Sequence, residues 1–191
     1  MFCWVKIKPM PSCSGFYRCA IKSVKTTWKT DVRNTLLGLA LITLGCATFA
    51  ANPMNVMVKP LGETHSGSPL PSEIPAKFNF PPGQNLTAIV IVHGSAGPDS
   101  RGTFHREYLV ENGFAVLELD MWSPRAVTSL ARRPRSTLDT LPDVWGAWHF
   151  LANNPNINKD KIVIMGFSWG GVNAMATAFG KKSKNPPIEL S

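Results

Sequence analysis

The sequence predicts an α/β protein with a mostly parallel sheet buried between layers of helices. Three apolar, β-branched runs, at residues 88–92, 114–119 and 161–165, are typical of strands buried on both faces. Helical segments separate these runs, and such alternation implies parallel strands joined by right-handed crossovers. In sheets of this kind the functional site lies where the carboxyl ends of the strands meet.

The stretch before the first run predicts the early edge of the sheet. Residues 52–75 are rich in Pro, Gly and Ser and indicate an extended lead-in, with a short strand at 56–58. Phe78 and Phe80 alternate with polar neighbours before Pro81-Pro-Gly-Gln84, which predicts an antiparallel hairpin with the strand at 88–92.

Two helices are predicted between the strands, and an irregular loop over residues 120–139 precedes the second. The first spans residues 103–112 and is stopped by Gly113. The second begins with Thr140 as a plausible cap and has Asp143 near its positive end. Its helical spacing buries one apolar face, made of Leu141, Val144, Trp145, Trp148, Leu151 and Ala152.

The last strand runs into Gly166-Phe-Ser168-Trp-Gly170, followed by a small-residue helix. A Gly-x-Ser-x-Gly turn between a strand and a helix is the nucleophile elbow, in which a strained backbone presents the serine hydroxyl above the sheet. Gly166 and Gly170 have no Cβ, so strand and helix can approach closely around Ser168. The alternative is a simple strand-to-helix turn with a bystander serine, and the flanking elements favour the elbow.

A second motif, His93-Gly-Ser95-Ala96-Gly97, follows the strand at 88–92. Attack on an acyl carbonyl creates an oxyanion, which backbone N–H groups can stabilise without reorganising. One donor is expected from Trp169, the residue after the nucleophile. The other is expected from this loop, with Ser95 favoured over Ala96.

The motifs between residues 76 and 180 resemble the α/β-hydrolase superfamily, and within it the dienelactone hydrolase-like branch. They are His93 to Gly97, the strand ending at Asp120, Met121-Trp-Ser-Pro-Arg125, and the elbow. The resemblance implies the three-layer fold of an α/β-hydrolase, with a mostly parallel sheet. It also implies an enzyme that hydrolyses small carboxylic esters without a cofactor or metal. Dienelactone hydrolases proper carry a cysteine nucleophile, whereas this chain has Ser168. A broader ester hydrolase is therefore expected, with secreted acyl peptidases as a further alternative.

The other members of a catalytic triad are missing after Ser168. The family order is serine, acid, histidine, but only Glu189 and no histidine follow the elbow. All four histidines of the chain precede the elbow, at His65, His93, His105 and His149. We expect none of them to be the base. His93 is expected to be structural, and the others to lie at the surface.

The end of the sequence, Asn185-Pro-Pro-Ile-Glu-Leu-Ser191, suggests the approach to a further strand. A sheet that stopped earlier would leave the strand at 161–165 as an open hydrophobic edge, which favours aggregation. We therefore expect the 191 residues to be the N-terminal part of a longer hydrolase, truncated after the elbow helix. The missing acid and histidine would then lie beyond residue 191.

The net charge of +8 belongs mainly to the N-terminal segment. Residues 1–50 hold seven basic side chains, one acidic side chain and all four cysteines, whereas residues 51–191 hold 13 basic and 11 acidic side chains. No basic stripe with aromatics remains to bind nucleic acid, and the body can form neither a disulfide nor a thiolate metal site.

Residues 35–51 form an uncharged, apolar segment after a basic stretch, which indicates a signal peptide with a long n-region over residues 1–50. Cleavage after Ala50 would export the protein to the periplasm or the medium. An uncleaved membrane anchor is the alternative, although 17 residues is short for a span. A lipoprotein site at Cys46 is disfavoured by Thr43. Residues 51–75 would then be the lead-in, and 76–191 an incomplete hydrolase domain.

Two functional hypotheses follow. In the first, the whole protein is an exported serine ester hydrolase and the 191-residue chain is inactive by itself. In the second, the 191-residue product is a catalytically dead remnant or a binding protein of the same fold.

Overall fold

The computed structural model describes residues 2–6 and 52–179 of the chain. These residues belong to one compact unit. The predicted signal peptide therefore lies almost wholly outside the described residues, as do Glu189 and the end of the chain. No helix in the described ranges is long and apolar enough to cross a membrane.

The strands are β1 (Phe2–Lys6), β2 (Met54–Val58), β3 (Ile74–Asn79), β4 (Leu86–Val92), β5 (Ala115–Leu119) and β6 (Ile157–Phe167). The α-helices are α1 (Ser100–Glu111), α2 (Leu141–Ala152) and α3 (Trp169–Phe179). Three short 3-10 turns, Ser123–Arg125, Leu130–Arg132 and Thr137–Thr140, lie between β5 and α2.

The six strands form one mixed sheet in the order β1-β6-β4-β5-β3-β2. At its centre, β4 runs parallel to both β5 and β6. The predicted hairpin between β3 and β4 is wrong, because β3 pairs antiparallel with β5 and β2, with Phe78 opposite Leu117. Both edges of β4 are already taken by its parallel neighbours, which leaves no edge for β3.

The outer edge of β6 is paired with β1, which the sequence assigned to the leader and not to a strand. The pairing is antiparallel over five residues, from Phe2 opposite Phe167 to Lys6 opposite Val163. The expected open edge at residues 161–165 is therefore covered here along part of its length. An extended segment added at this position satisfies backbone groups that would otherwise be unpaired.

Helices cover both faces of the sheet, and the three-layer α/β fold is confirmed. Alternate residues of β4 point to opposite sides. Val90 belongs to the core cluster under α2 and α3, whereas Ile89 and Ile91 pack with Leu109 of α1. The parallel strands are buried on both faces, as their continuous apolar runs predict.

The predicted apolar face of α2 is confirmed. Trp145 is buried in the core, and Trp148 packs against it. Phe150, which lies off that face, packs edge-on against Phe78 with ring centroids 5.7 Å apart.

The start of α2 differs from the expected cap. The Thr140 hydroxyl makes no capping bond and donates to the Thr137 carbonyl at 2.9 Å. Because the 3-10 turn runs directly into α2, no extended residue precedes the helix, and an extended residue is what side-chain capping requires. Asp143 in the first turn is fully buried and pairs with Arg125.

Candidate active site

Ser168 lies in a strained turn between β6 and α3. Its φ of +48° is in the left-handed region, which a side chain with a Cβ adopts only at a cost. A Cβ on Gly166 would lie 2.0 Å from the Gly170 carbonyl oxygen, and one on Gly170 would lie 2.2 Å from the Val92 oxygen. Only glycine fits at these two positions, so the turn has the geometry that the elbow motif predicts. Ser168 itself is exposed.

The loop after β4 lies directly beside this turn. A Cβ built on Gly94 would be 3.7 Å from the Cβ of Ser168. The Gly170 amide donates to the His93 carbonyl at 3.1 Å, which ties the start of α3 to the loop. The two motifs, some 75 residues apart in the chain, therefore meet at one edge of the sheet.

Two hydrogen bonds fix the direction of the Ser95 amide. The Gly94 carbonyl accepts from His93 Nδ1 at 2.7 Å and from the Gly97 amide at 3.1 Å. In a trans peptide the C=O and the next N–H point in opposite directions, so holding the Gly94 oxygen also sets the Ser95 N–H. The Ser95 carbonyl accepts from Trp122 Nε1 at 3.1 Å, which in the same way sets the amide of Ala96.

Neither the Ser95 nor the Trp169 amide donates a hydrogen bond within the described ranges. Both amides therefore have no hydrogen-bond acceptor among the described residues. The structure brings the three residues singled out in the sequence, Ser168, Ser95 and Trp169, to the carboxyl ends of β4 and β6.

His93 is a buried structural residue. Its Nδ1 faces the Gly94 carbonyl and must carry the proton, while its Nε2 accepts from the Met121 amide at 3.0 Å. Burial lowers the pKa of His93 below the ordinary 6.5, which keeps the ring neutral. With both ring nitrogens engaged, His93 cannot take a proton from Ser168.

The other three histidines also make no hydrogen bond to the Ser168 hydroxyl. His105 bonds to the Arg101 carbonyl at 2.7 Å, and His149 contacts Asn153 on the surface of α2. His65 is exposed in the lead-in. Within the described residues, therefore, no histidine is placed as a general base for Ser168.

Two tryptophan side chains and an arginine lie next to the Ser168 turn. The indole of Trp169 lies edge-on to Trp122 at 5.4 Å between ring centroids, and the Arg133 guanidinium lies 5.4 Å from the Trp169 ring. Trp169 Nε1 donates to the Thr140 hydroxyl at 2.9 Å, and Asn173 donates to the same oxygen at 2.8 Å. The Thr140 hydroxyl thus anchors the first turn of α3. The sequence predicted Thr140 only as the cap of α2.

Asp120, at the end of β5, is committed to its own loop. One carboxylate oxygen accepts from the Trp122 and Ser123 amides, both at 3.0 Å, and the other accepts from the Ser123 hydroxyl. No group of three or more His, Cys, Asp or Glu side chains in residues 2–6 and 52–179 could hold a metal ion.

Strand order, strained serine turn and adjoining loop together define an α/β-hydrolase fold. Among solved structures, the chain is similar to a dienelactone hydrolase from Anabaena variabilis, with 20% identity over 69% of this chain and 59% of that one, and a TM-score of 0.52. It is also similar to DcsB, solved in complex with its substrate analogue, with 17% identity over 72% of this chain and 43% of that one, and a TM-score of 0.50. These similarities show that this part of the chain has the α/β-hydrolase fold, as dienelactone hydrolase does.

An esterase from Pyrobaculum calidifontis is a further similar structure, at 21% identity over 68% of this chain and 41% of that one, with a TM-score of 0.45. The chain thus spans between 41% and 59% of the length of these three structures. No protein-family model and no curated protein matches the chain.

Proposed function

We propose that the whole protein is a serine hydrolase of small carboxylic esters, with Ser168 as its nucleophile. The observation that carries this proposal is the left-handed φ of Ser168 beside a loop that offers the Ser95 amide. An exposed serine held in a strained turn supports acyl-transfer catalysis, as do two neighbouring amides that donate no hydrogen bond within the described residues.

In the proposed reaction, the Ser168 oxygen attacks the ester carbonyl carbon while its proton passes to a histidine. The carbonyl oxygen becomes an oxyanion, stabilised by the Ser95 and Trp169 N–H groups. Collapse of this intermediate breaks the ester bond, and the histidine returns the proton to the departing alcohol. Water then hydrolyses the acyl-serine by the same two steps.

The acid and the histidine of this reaction are proposed to lie beyond residue 191. A serine hydroxyl is a weak nucleophile without a base, and no described histidine serves Ser168. We therefore expect the purified 191-residue chain to hydrolyse a short-chain aryl ester at a negligible rate. Ordinary esterase turnover that disappears in Ser168→Ala would contradict this and would assign the base to a residue of the present chain.

A phosphonate probe tests the nucleophile in the whole protein. It should label Ser168, and labelling should be lost in Ser168→Ala. Ser95→Ala keeps the backbone N–H and should retain most activity, whereas Ser95→Pro deletes that donor and should lower kcat on the order of a hundredfold. Labelling that survives in Ser168→Ala but vanishes in Ser95→Ala would show that Ser95, and not Ser168, is the nucleophile.

The second candidate, a catalytically dead or binding protein of the same fold, is favoured by the lack of a base among the described histidines. The nucleotide sequence downstream of codon 191 separates the two proposals. An in-frame or frameshifted continuation that encodes an acid and a histidine supports the hydrolase, and its absence supports the second candidate.

We also propose that the protein is exported and begins near Ala51 after cleavage. The basic segment, the apolar residues 35–51 and the small residues around Ala50 support this proposal. Cleavage there would remove β1 and free the outer edge of β6. N-terminal sequencing of protein from the periplasm or medium is the test, and an intact N-terminus in the membrane fraction would favour an anchor.

A further inference from the structure

A largely buried ion pair joins the β5–α2 loop to the first turn of α2. Asp143, in the first turn of α2, is fully buried, and Arg125 donates to its two carboxylate oxygens at 2.8 and 2.9 Å. Burial raises the pKa of Asp143 to about 6, against the opposing effect of Arg125. Taking two charges out of water is costly, and an apolar pair of similar size often stabilises a fold equally well. Stability alone therefore gives little reason for this pair.

The guanidinium makes one further contact that an apolar residue cannot make. Arg125 Nη1 also donates to the Met121 carbonyl at 2.9 Å. The Met121 amide in turn donates to His93 Nε2 at 3.0 Å. Met121 is thus held from both sides, by Arg125 through its oxygen and by His93 through its nitrogen.

These contacts form a continuous path to the proposed oxyanion site. With Met121 fixed, His93 Nε2 accepts a hydrogen bond, so the ring proton stays on Nδ1. That proton holds the Gly94 carbonyl, and the Gly94 carbonyl sets the direction of the Ser95 N–H. If Met121 moved away, the other tautomer would become accessible and the Gly94–Ser95 peptide would lose one of its two restraints.

We propose that Arg125 and Asp143 are positioning residues that act through Met121 and His93 to aim the Ser95 N–H at the oxyanion. This inference rests on the proposed function for its catalytic consequence. Its structural part, the control of the His93 tautomer, stands independently of catalysis.

The test is the double variant Arg125→Met/Asp143→Leu. It removes both charges together, so it leaves no unpaired buried charge and should unfold close to the wild-type midpoint. It also removes the donor to Met121. In the whole protein, kcat should fall about ten- to a hundredfold with little change in KM, because an interaction used in the transition state is weakened. Arg135→Met, an exposed position in the same loop, is the matched control and should leave both constants unchanged.

Arg125→Lys is the second variant. It keeps a positive charge beside Asp143, so the buried carboxylate is not left without a counter-charge. A single ammonium lacks the fork that reaches Asp143 and the Met121 carbonyl together, so kcat should again fall without a matching loss of stability. Wild-type kcat in both the double variant and Arg125→Lys would overturn the positioning role.

A spectroscopic arm uses the 191-residue chain and needs no activity. Nitrogen-15 spectra of labelled histidine should show His93 as the neutral Nδ1–H tautomer in the wild type, and a shift toward a tautomer mixture in the double variant. His93→Gln assigns the signals. Unchanged His93 signals in the folded double variant would refute the structural part. Turnover that persists in Ser168→Ala would instead refute the proposed function and leave the spectroscopic result decisive for this inference.

Discussion

Gly170→Ala and Gly171→Ala are adjacent, chemically identical substitutions for which the structure predicts opposite effects. A Cβ on Gly170 would lie 2.2 Å from the Val92 carbonyl oxygen and 2.8 Å from the His93 oxygen. Both distances are below 3.0 Å, and Cβ atoms in proteins essentially never lie that close to another heavy atom. A Cβ on Gly171 would meet nothing nearer than the Gly166 oxygen at 3.4 Å. The first forces α3 away from β4, whereas the second fits.

The size of each effect follows from these contacts. Overpacking of this kind costs about 1–3 kcal/mol, and moving α3 also weakens the bond from the Gly170 amide to the His93 carbonyl, which is worth about 1 kcal/mol. Gly170→Ala should therefore lower the free energy of unfolding by about 2–4 kcal/mol. Gly171→Ala lies within a helix, where alanine is favoured over glycine by up to about 1 kcal/mol, so it should be neutral or stabilising.

Urea unfolding of the 191-residue chain, followed by tryptophan fluorescence, measures both values on the same scale. The comparison between the neighbours cancels any general sensitivity of α3 to substitution. Equal stability of the two variants would refute the close approach of strand and helix, and with it the structural basis for assigning an elbow.

Three further predictions concern the same unfolding measurement. Ser168→Gly should be about 1–2 kcal/mol more stable than Ser168→Ala, because glycine adopts the left-handed φ without strain; equal stability would argue against strain. Thr140→Val leaves the part-buried donor of Trp169 and the buried donor of Asn173 without their acceptor and should cost about 2–4 kcal/mol, whereas Thr140→Ser keeps the hydroxyl and should cost far less. Because the pKa of Asp143 is raised to about 6, the folded state binds more protons than the unfolded state from about pH 4 to pH 6, and this contribution to stability is lost as the pH rises. Stability should therefore rise more steeply with pH over that window in Arg125→Met/Asp143→Leu than in the wild type, and an unchanged slope would contradict the raised pKa.

The elbow and the loop after β4 could be predicted because their signals are local. An apolar run, a Gly-x-Ser-x-Gly turn and a small-residue helix are contiguous in the chain, and each has a physical requirement for its residue types. The alternation of strands and helices predicted the layers for the same reason, and the helical spacing of α2 placed Trp145 in the core.

The parts that sequence reasoning missed depend on long-range hydrogen bonds. The bond between Met121 and His93 joins residues 28 positions apart, and the bond between Thr140 and Asn173 joins residues 33 apart. Such contacts leave no periodic pattern to read. The placement of β3 failed for a related reason: turn composition indicates where a chain reverses, but the strand it then pairs with is decided by which edges remain open. The sequence Met121-Trp-Ser-Pro-Arg125 contributes to the prediction only through its resemblance to the hydrolase family. The structure adds its contacts, which join Met121 to His93 and Arg125 to Asp143.

The described residues separate the two halves of the proposed chemistry. The described hydrogen bonds that hold the Ser168 turn and restrain the Gly94–Ser95 peptide come from β4 and the loop after it, the first turn of α3, the β5–α2 loop and the first turn of α2. Nothing among them moves a proton from Ser168. Because the strain at Ser168 is held by these local neighbours, the turn should form whether or not a base is present. The stability differences at Gly170 and Ser168 therefore report on the nucleophile half alone, and turnover reports on the supply of an acid and a histidine. Loss of activity with those stability differences intact would place the fault in the proton-transfer half, and their absence would place it in the elbow itself.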